Sequence, residues 1–161
     1  MKLILGLFAL LLAVVFGILF FQGNFKKNIS FPFGLGIKQP TAIIKNHTFK
    51  LTLVKTPKEQ QVGLSEKTSL PQDESMLFPF GNADYYNFWM KNMKFPIDII
   101  YINKNHIVTI IDSAQPPKSA EESLPIYKSD EPADSVLEIN AGLSKKYEFK
   151  KNDEVKVENL P

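Results

Sequence analysis

Ile97-Asp98-Ile99-Ile100-Tyr101-Ile102 leads through Asn103-Lys104-Asn105-His106 into Ile107-Val108-Thr109-Ile110-Ile111. A strand with one face in water alternates apolar and polar residues, whereas a near-continuous apolar run implies burial on both faces. The first run is therefore placed centrally in a sheet. The Asn-Lys-Asn-His segment reads as a turn, so the two runs form a hairpin. Pro96 stands just before the first strand.

Working outward, Ala42-Ile43-Ile44 and Phe49 to Val54 read as strands joined by a turn at Asn46-His47. Thr56-Pro57-Lys58-Glu59 opens a short helix to about Leu64, with Thr56 as cap, Pro57 at the first position and Glu59 closing a capping box. Ser75 to Phe78 is a strand expected to stop at Pro79 and Gly81, and the aromatic-rich Tyr86 to Met90 is another. Ser135 to Ile139 and Glu154 to Val157 are the last strands, with a helical turn near Leu143 to Tyr147 between them. Ala114 to Ala133 has four prolines and no apolar period, the pattern of a binding loop or a mobile excursion. Seven or eight short strands and two short helices predict a mostly β domain, a β-sandwich or partly closed barrel. One N-terminal transmembrane helix is expected to precede it.

That expectation rests on Leu3 to Phe21, an unbroken run of apolar or Gly residues. At roughly 1.5 Å per residue it reaches about 28 Å, close to the roughly 30 Å hydrocarbon core. Phe20-Phe21-Gln22-Gly23 is a poor signal-peptidase site, so an uncleaved anchor is preferred to a signal peptide. Lys2 precedes the run and Lys26 and Lys27 follow it, so charge does not fix orientation. The expectation is a single-pass protein with its C-terminal domain outside the cytoplasm. Gln22 to Pro40 reads as a linker, although Ile29, Phe31, Phe33, Leu35 and Ile37 alternate as in an edge strand. The domain limits are 1–22 for anchor or signal, 23–40 for linker and 41–161 for one β-rich domain.

The absence of cysteine excludes disulfides, thiolate zinc sites and iron–sulfur clusters. There is no arginine, and from Lys38 onward 16 lysines face 17 acids. The domain thus lacks the basic excess that draws nucleic acid. His47 and His106 both fall in turns with no ligand spacing, so no metal site and no cofactor is expected.

Phe88-Trp89-Met90-Lys91-Asn92-Met93-Lys94-Phe95-Pro96-Ile97-Asp98-Ile99-Ile100 resembles the signature of the domain of unknown function 192 family. The resemblance runs in order from about Lys50 to Val157. It takes in Val62-Gly63-Leu64, Met76-Leu77-Phe78-Pro79-Phe80, Val136-Leu137-Glu138 with Ala141-Gly142, and Lys151 to Val155. Ser65 stands where the family usually has Met, and Ser75 and Asn152 stand where it usually has Gly. The resemblance implies a compact, mainly β domain, often exported or anchored, and no established activity.

The candidate pocket or scaffold residues are Trp89, Lys91, Asn92, Asp98 and Glu138. Asp98 lies among isoleucines, and a buried carboxylate needs partners. It is read either as a general base beside Trp89 or as a pin that takes backbone N–H groups of the Met90 to Pro96 loop. Trp89 is either core or the floor of a cleft. Glu138 is expected to pair with Lys91 or to face solvent. Two carboxylates in one pocket, Asp98 and Glu138, would point to glycoside hydrolysis. The leading expectation is an extracytoplasmic binding or envelope-associated module without catalysis, its ligand unidentified. The alternative is a small hydrolase using Asp98 with Lys91 or Glu138, and a third reading is a partner in a membrane complex.

Overall fold

The computed structural model describes residues 38–119 and 122–161. The Leu3 to Phe21 run and nearly all of the Gln22 to Pro40 segment lie outside them. Among the described residues no helix is long and apolar enough to cross a membrane. In chain order the elements are β1 (Thr41–Ile44), β2 (His47–Leu53), α1 (Pro57–Val62), β3 (Glu74–Asp84), β4 (Asn87–Phe88) and β5 (Ile97–Asn103). There follow β6 (His106–Ala114), β7 (Tyr127–Lys128), β8 (Ala133–Asn140), α2 (Leu143–Lys146) and β9 (Val155–Glu158).

Seven strands form one sheet in the order β6-β5-β8-β3-β2-β1-β9, and β4 pairs with β7 in a small second sheet. All pairs are antiparallel except β2 with β3, which the α1 crossover makes parallel. The large sheet curls until its two edge strands meet at one end. There Ile107 N donates to Asp153 O (3.0 Å), Asn152 N to Ile107 O (2.8 Å) and Val155 N to Asn105 O (2.8 Å). The result is a curled half-barrel. Of the two expected architectures the partly closed barrel matches, and the sandwich of two large sheets does not form.

The β5–β6 hairpin is where the apolar pattern put it. Lys104 and Asn105 take φ of 49° and 64°, as a two-residue turn between twisted strands requires. Ile97 to Ile102 are all buried, because β5 lies between β6 and β8 and is covered on both faces. Burying such a side chain stabilises the fold by roughly 1.5–3 kcal/mol. Alternate residues of β5 and β8 serve two different cores. Ile100, Ile102, Leu137 and Ile139 pack with Ala42, Phe49, Leu143 and Val155 on one face. That core draws on both edge regions, as the inside of a curled sheet must. Ile97, Ile99, Tyr101 and Val136 pack with Met76, Phe78, Met90 and Leu64 on the other.

Several details depart from the sequence pattern. The strand from Ser75 does not stop at Pro79; β3 runs on to Asp84 across a register shift between those two residues. Only Asn87 and Phe88 of the Tyr86 to Met90 segment are extended. The end of the Ala114 to Ala133 segment is tied down, since β7 pairs with β4 and Tyr101 Oη donates to Tyr127 O (2.8 Å). Ser129 Oγ also bonds Thr109 Oγ1 at 3.0 Å.

Candidate functional site

The helix α1 forms as its sequence requires. Glu59 N donates to Thr56 Oγ1 (3.2 Å) and Thr56 N donates to Glu59 Oε2 (2.9 Å), a complete capping box. Gln60 ties the helix to the sheet by donating to Val54 O at 3.3 Å and Pro79 O at 3.5 Å. Gly63 ends it at φ 49°, ψ −130°, a conformation open to glycine. A Cβ there would sit 3.4 Å from Phe78 Cζ. The helix and its exit turn therefore lie close over β3, but do not seal the sheet face beneath.

Between them is a pocket of about 340 Å³. Its walls are mainly apolar: Phe78 and Phe80 from β3, Phe88 from β4, Val62 and Leu64 from the helix and its turn, and Met93. Phe80 stacks on Tyr86 at 3.7 Å between ring centroids, and Phe88 stands edge-on to Phe78 at 5.1 Å. Gln60, Gln61 and Ser65 supply polar atoms from one side.

Glu138 also lines this pocket. It projects from β8 between Met76 of β3 and Ile99 of β5, its register neighbours, and is 6 % exposed. Its Oε2 is buried and has no hydrogen-bond partner among the described residues. Losing its hydration raises the carboxyl pKa to about 8. Its own burial, and to a lesser extent Glu138, push the Tyr101 phenol well above its ordinary range. A buried polar group without a partner costs roughly 1–3 kcal/mol, and more if charged. Such a group at the wall of an open pocket is a candidate ligand contact.

The structure separates the other candidates. Asp98 is fully buried, and its Oδ1 accepts Ser113 N (2.8 Å) and Gly142 N (2.9 Å) while its Oδ2 accepts Ser144 N (2.8 Å). It thus pins a bend in β6 and caps α2, rather than the Met90 to Pro96 loop. Because Asp98 pairs with Ile139 and Glu138 with Ile99, the two carboxylates project from opposite faces of the sheet. They do not share a pocket, and the two-carboxylate geometry of a glycosidase is not formed.

Trp89 is 50 % exposed and lines the pocket, so it is not a core residue. The Lys91 ammonium lies 5.6 Å from the Trp89 ring centroid. Lys91 lines the pocket, yet it makes no ion pair with Glu138 among the described residues. Glu138 therefore neither pairs with Lys91 nor faces open solvent. Asn92, at φ 60°, belongs to an adjoining, wider depression shared with Trp89, Lys91, Lys94 and Glu66. Gln60, Phe78, Phe80 and Phe88 were not singled out from sequence. The clustering of aromatics between residues 78 and 89 was the available signal.

His47 stacks on Tyr147 at 3.6 Å between centroids, and His106 Nδ1 lies 2.9 Å from Lys104 O. Among the described residues no three His, Cys, Asp or Glu side chains cluster as a metal site.

A family profile described as DUF192, an uncharacterized ACR, matches residues 40–157. No curated protein matches the chain. A crystal structure of a protein of unknown function from Novosphingobium aromaticivorans DSM 12444 is similar, with 31 % identity and a TM-score of 0.64. That match covers 73 % of this chain and 83 % of the other. A structure from Sinorhizobium meliloti 1021, named as a candidate transcription regulator, has 30 % identity and a TM-score of 0.66. There 76 % of this chain and 94 % of the other are covered.

Proposed function

The chain belongs to the DUF192 family, which brings no activity with it, and from the site's own geometry we propose a binding module whose ligand enters the Glu138 pocket. The observation that carries this reading is the unpartnered Glu138 Oε2 at the wall of a mainly apolar pocket. Small-molecule sites combine apolar walls with a few placed polar groups. Gln60, Gln61, Ser65 and Lys91 add such groups around the opening. The transcription-regulator name of the Sinorhizobium protein finds no support in charge, since residues 38–161 carry 16 lysines against 17 acids.

The module is proposed to be held at a membrane by Leu3 to Phe21, with the domain outside the cytoplasm. The apolar length of that run supports this. Fusion of a periplasm-dependent reporter after Pro161 tests it. Activity is expected, and activity of a cytoplasm-dependent reporter alone reverses the orientation.

Binding is tested by amide chemical-shift mapping of a small-molecule fragment collection. Shifts are expected to converge on Val62 to Ser65, Phe78 to Phe80 and Phe88 to Lys91. Shifts scattered over other surfaces, or none, overturn the reading.

A hydrolase is the second reading, favoured by the burial of Glu138 at the pocket wall. Burial that pushes its carboxyl up to about 8 suits general acid–base work close to neutral pH. Its acid is Glu138 with Lys91 nearby, because the acceptors of Asp98 are taken by backbone donors. Turnover of a panel of nitrophenyl esters and glycosides that is abolished in Glu138→Gln would establish it.

A further inference from the structure

We infer that the Glu138 pocket is a receptor for a primary ammonium group on a short apolar stem, a ligand class that deepens the binding reading above and rests on it. Two independent features converge on this chemistry. The first is the buried Oε2 of Glu138, which has no hydrogen-bond partner among the described residues. The second is the ring set around it. Phe80, Tyr86, Phe88 and Trp89 all line the same pocket, and aromatic faces attract cations through their quadrupoles. The Trp89 ring already receives one ammonium, that of Lys91 at 5.6 Å. Once it gives up its proton, the Glu138 carboxylate in a pocket shared with these aromatic rings fits a cation that is compact, donates hydrogen bonds and carries apolar carbon.

A metal ion does not fit as well. Hard cations take several oxygen ligands, and one carboxylate is present here. Among the described residues no cluster of three acidic, His or Cys groups exists. A carboxylate ligand gains no charge pairing from Glu138, which is a neutral carboxyl below about pH 8 and a like charge above it.

Binding is coupled to protons. The ionisable groups around Glu138 are Tyr101 of β5, whose phenol stays neutral, and Tyr86 and Lys91 of the pocket wall. Met76 of β3 and Ile99 of β5 flank it and do not titrate. In the empty pocket at neutral pH Glu138 holds its proton. An arriving R–NH₃⁺ displaces that proton to solvent and leaves an ammonium–carboxylate pair, so charge and atoms balance. Affinity therefore rises with pH up to about 8.

The test uses the full chain in detergent or the intact membrane form. Trp89, the single tryptophan, reports from the pocket lining. The probes are n-hexylammonium, 1-hexanol and hexanoate, followed by fluorescence and by calorimetry in two buffers of different ionisation enthalpy. The expected result is saturable binding of n-hexylammonium, at least tenfold tighter than 1-hexanol, with up to one proton released per ligand at pH 6.5–7. Hexanoate is expected to bind at least tenfold more weakly than n-hexylammonium. Glu138→Gln is expected to remove the preference for the ammonium while still binding 1-hexanol, which shows that the pocket is intact. If 1-hexanol binds the unaltered protein as tightly as n-hexylammonium, the ammonium assignment fails and the binding reading stands. If no probe binds while the pocket amides also ignore all other fragments, both fail.

Discussion

At the residue scale the two carboxylates that attracted attention in the sequence divide the labour. Asp98 is scaffold: three backbone N–H groups from two distant segments end on it. Each donor left buried without a partner costs roughly 1–3 kcal/mol. Asp98→Ala is therefore expected to lower stability by about 3–5 kcal/mol and Asp98→Asn by less, since the amide retains one acceptor oxygen. Urea unfolding at pH 7 measures both, and a loss below about 1 kcal/mol in the alanine variant would show the bonds to be dispensable. Glu138 acts in the opposite direction. Its carboxyl titrates near 8 when folded and near 4.5 when unfolded, so the folded state holds the extra proton between those values. Stability then falls as pH rises through that window, by up to about 1.4 kcal/mol per unit, and levels off above it. Asp73 and Glu59, whose carboxyls are lowered by Lys50 and by Thr56 with Lys55, act only below pH 4.5 and with the opposite sign. Unfolding free energies from pH 5 to 8.5 are expected to show the decline in the unaltered protein and a flatter profile in Glu138→Gln. The need of Asp98 for partners was legible from its isoleucine neighbours. Its donors were not, because Ser113, Gly142 and Ser144 lie 15, 44 and 46 residues away in the chain. Glu138 was expected to pair with Lys91 or to face solvent, and nothing local showed that its face of β8 opens into a pocket.

At the element scale the site depends on a helix of one and a half turns, too short to be stable alone. Its position comes from the capping box, the two Gln60 bonds and the Gly63 exit. Thr56→Ala is expected to cost about 1 kcal/mol by urea unfolding. It is also expected to speed amide exchange at Gln60 and Gly63 more than at Ile100. Equal effects at all three would mean that the cap serves global stability alone. The capping box and the β5–β6 turn were readable because each is encoded within four residues. The pairing of β4 with β7 was not, since each has two residues and they lie some forty positions apart. The course of β3 beyond Pro79 was hidden by the proline, which is tolerated where the ladder with β8 is irregular.

At the scale of the whole molecule the curl of the sheet sorts the side chains of β5 and β8 between an enclosed core and an outer face that carries the pocket. The mostly β class with two helices was legible in the strand pattern. The choice of a partly closed barrel over a sandwich was not, because strand order is set by non-local pairing: β8 inserts between β3 and β5, and β2 joins β3 in parallel. Closure predicts that the amides of Ile107 and Val155, which donate across the meeting edges, exchange as slowly as that of Ile100. Fast exchange at both would show an open edge. The site turns on one group, a buried carboxyl whose Oε2 has no hydrogen-bond partner among the described residues, at the wall of a mainly apolar pocket. The most direct test is a side-chain ¹³C titration of Glu138 in the ligand-free protein, assigned with Glu138→Gln. A midpoint near 8 is expected. A midpoint near 4.5 would mean that water or the Lys91 ammonium reaches the carboxylate, and would contradict that expectation.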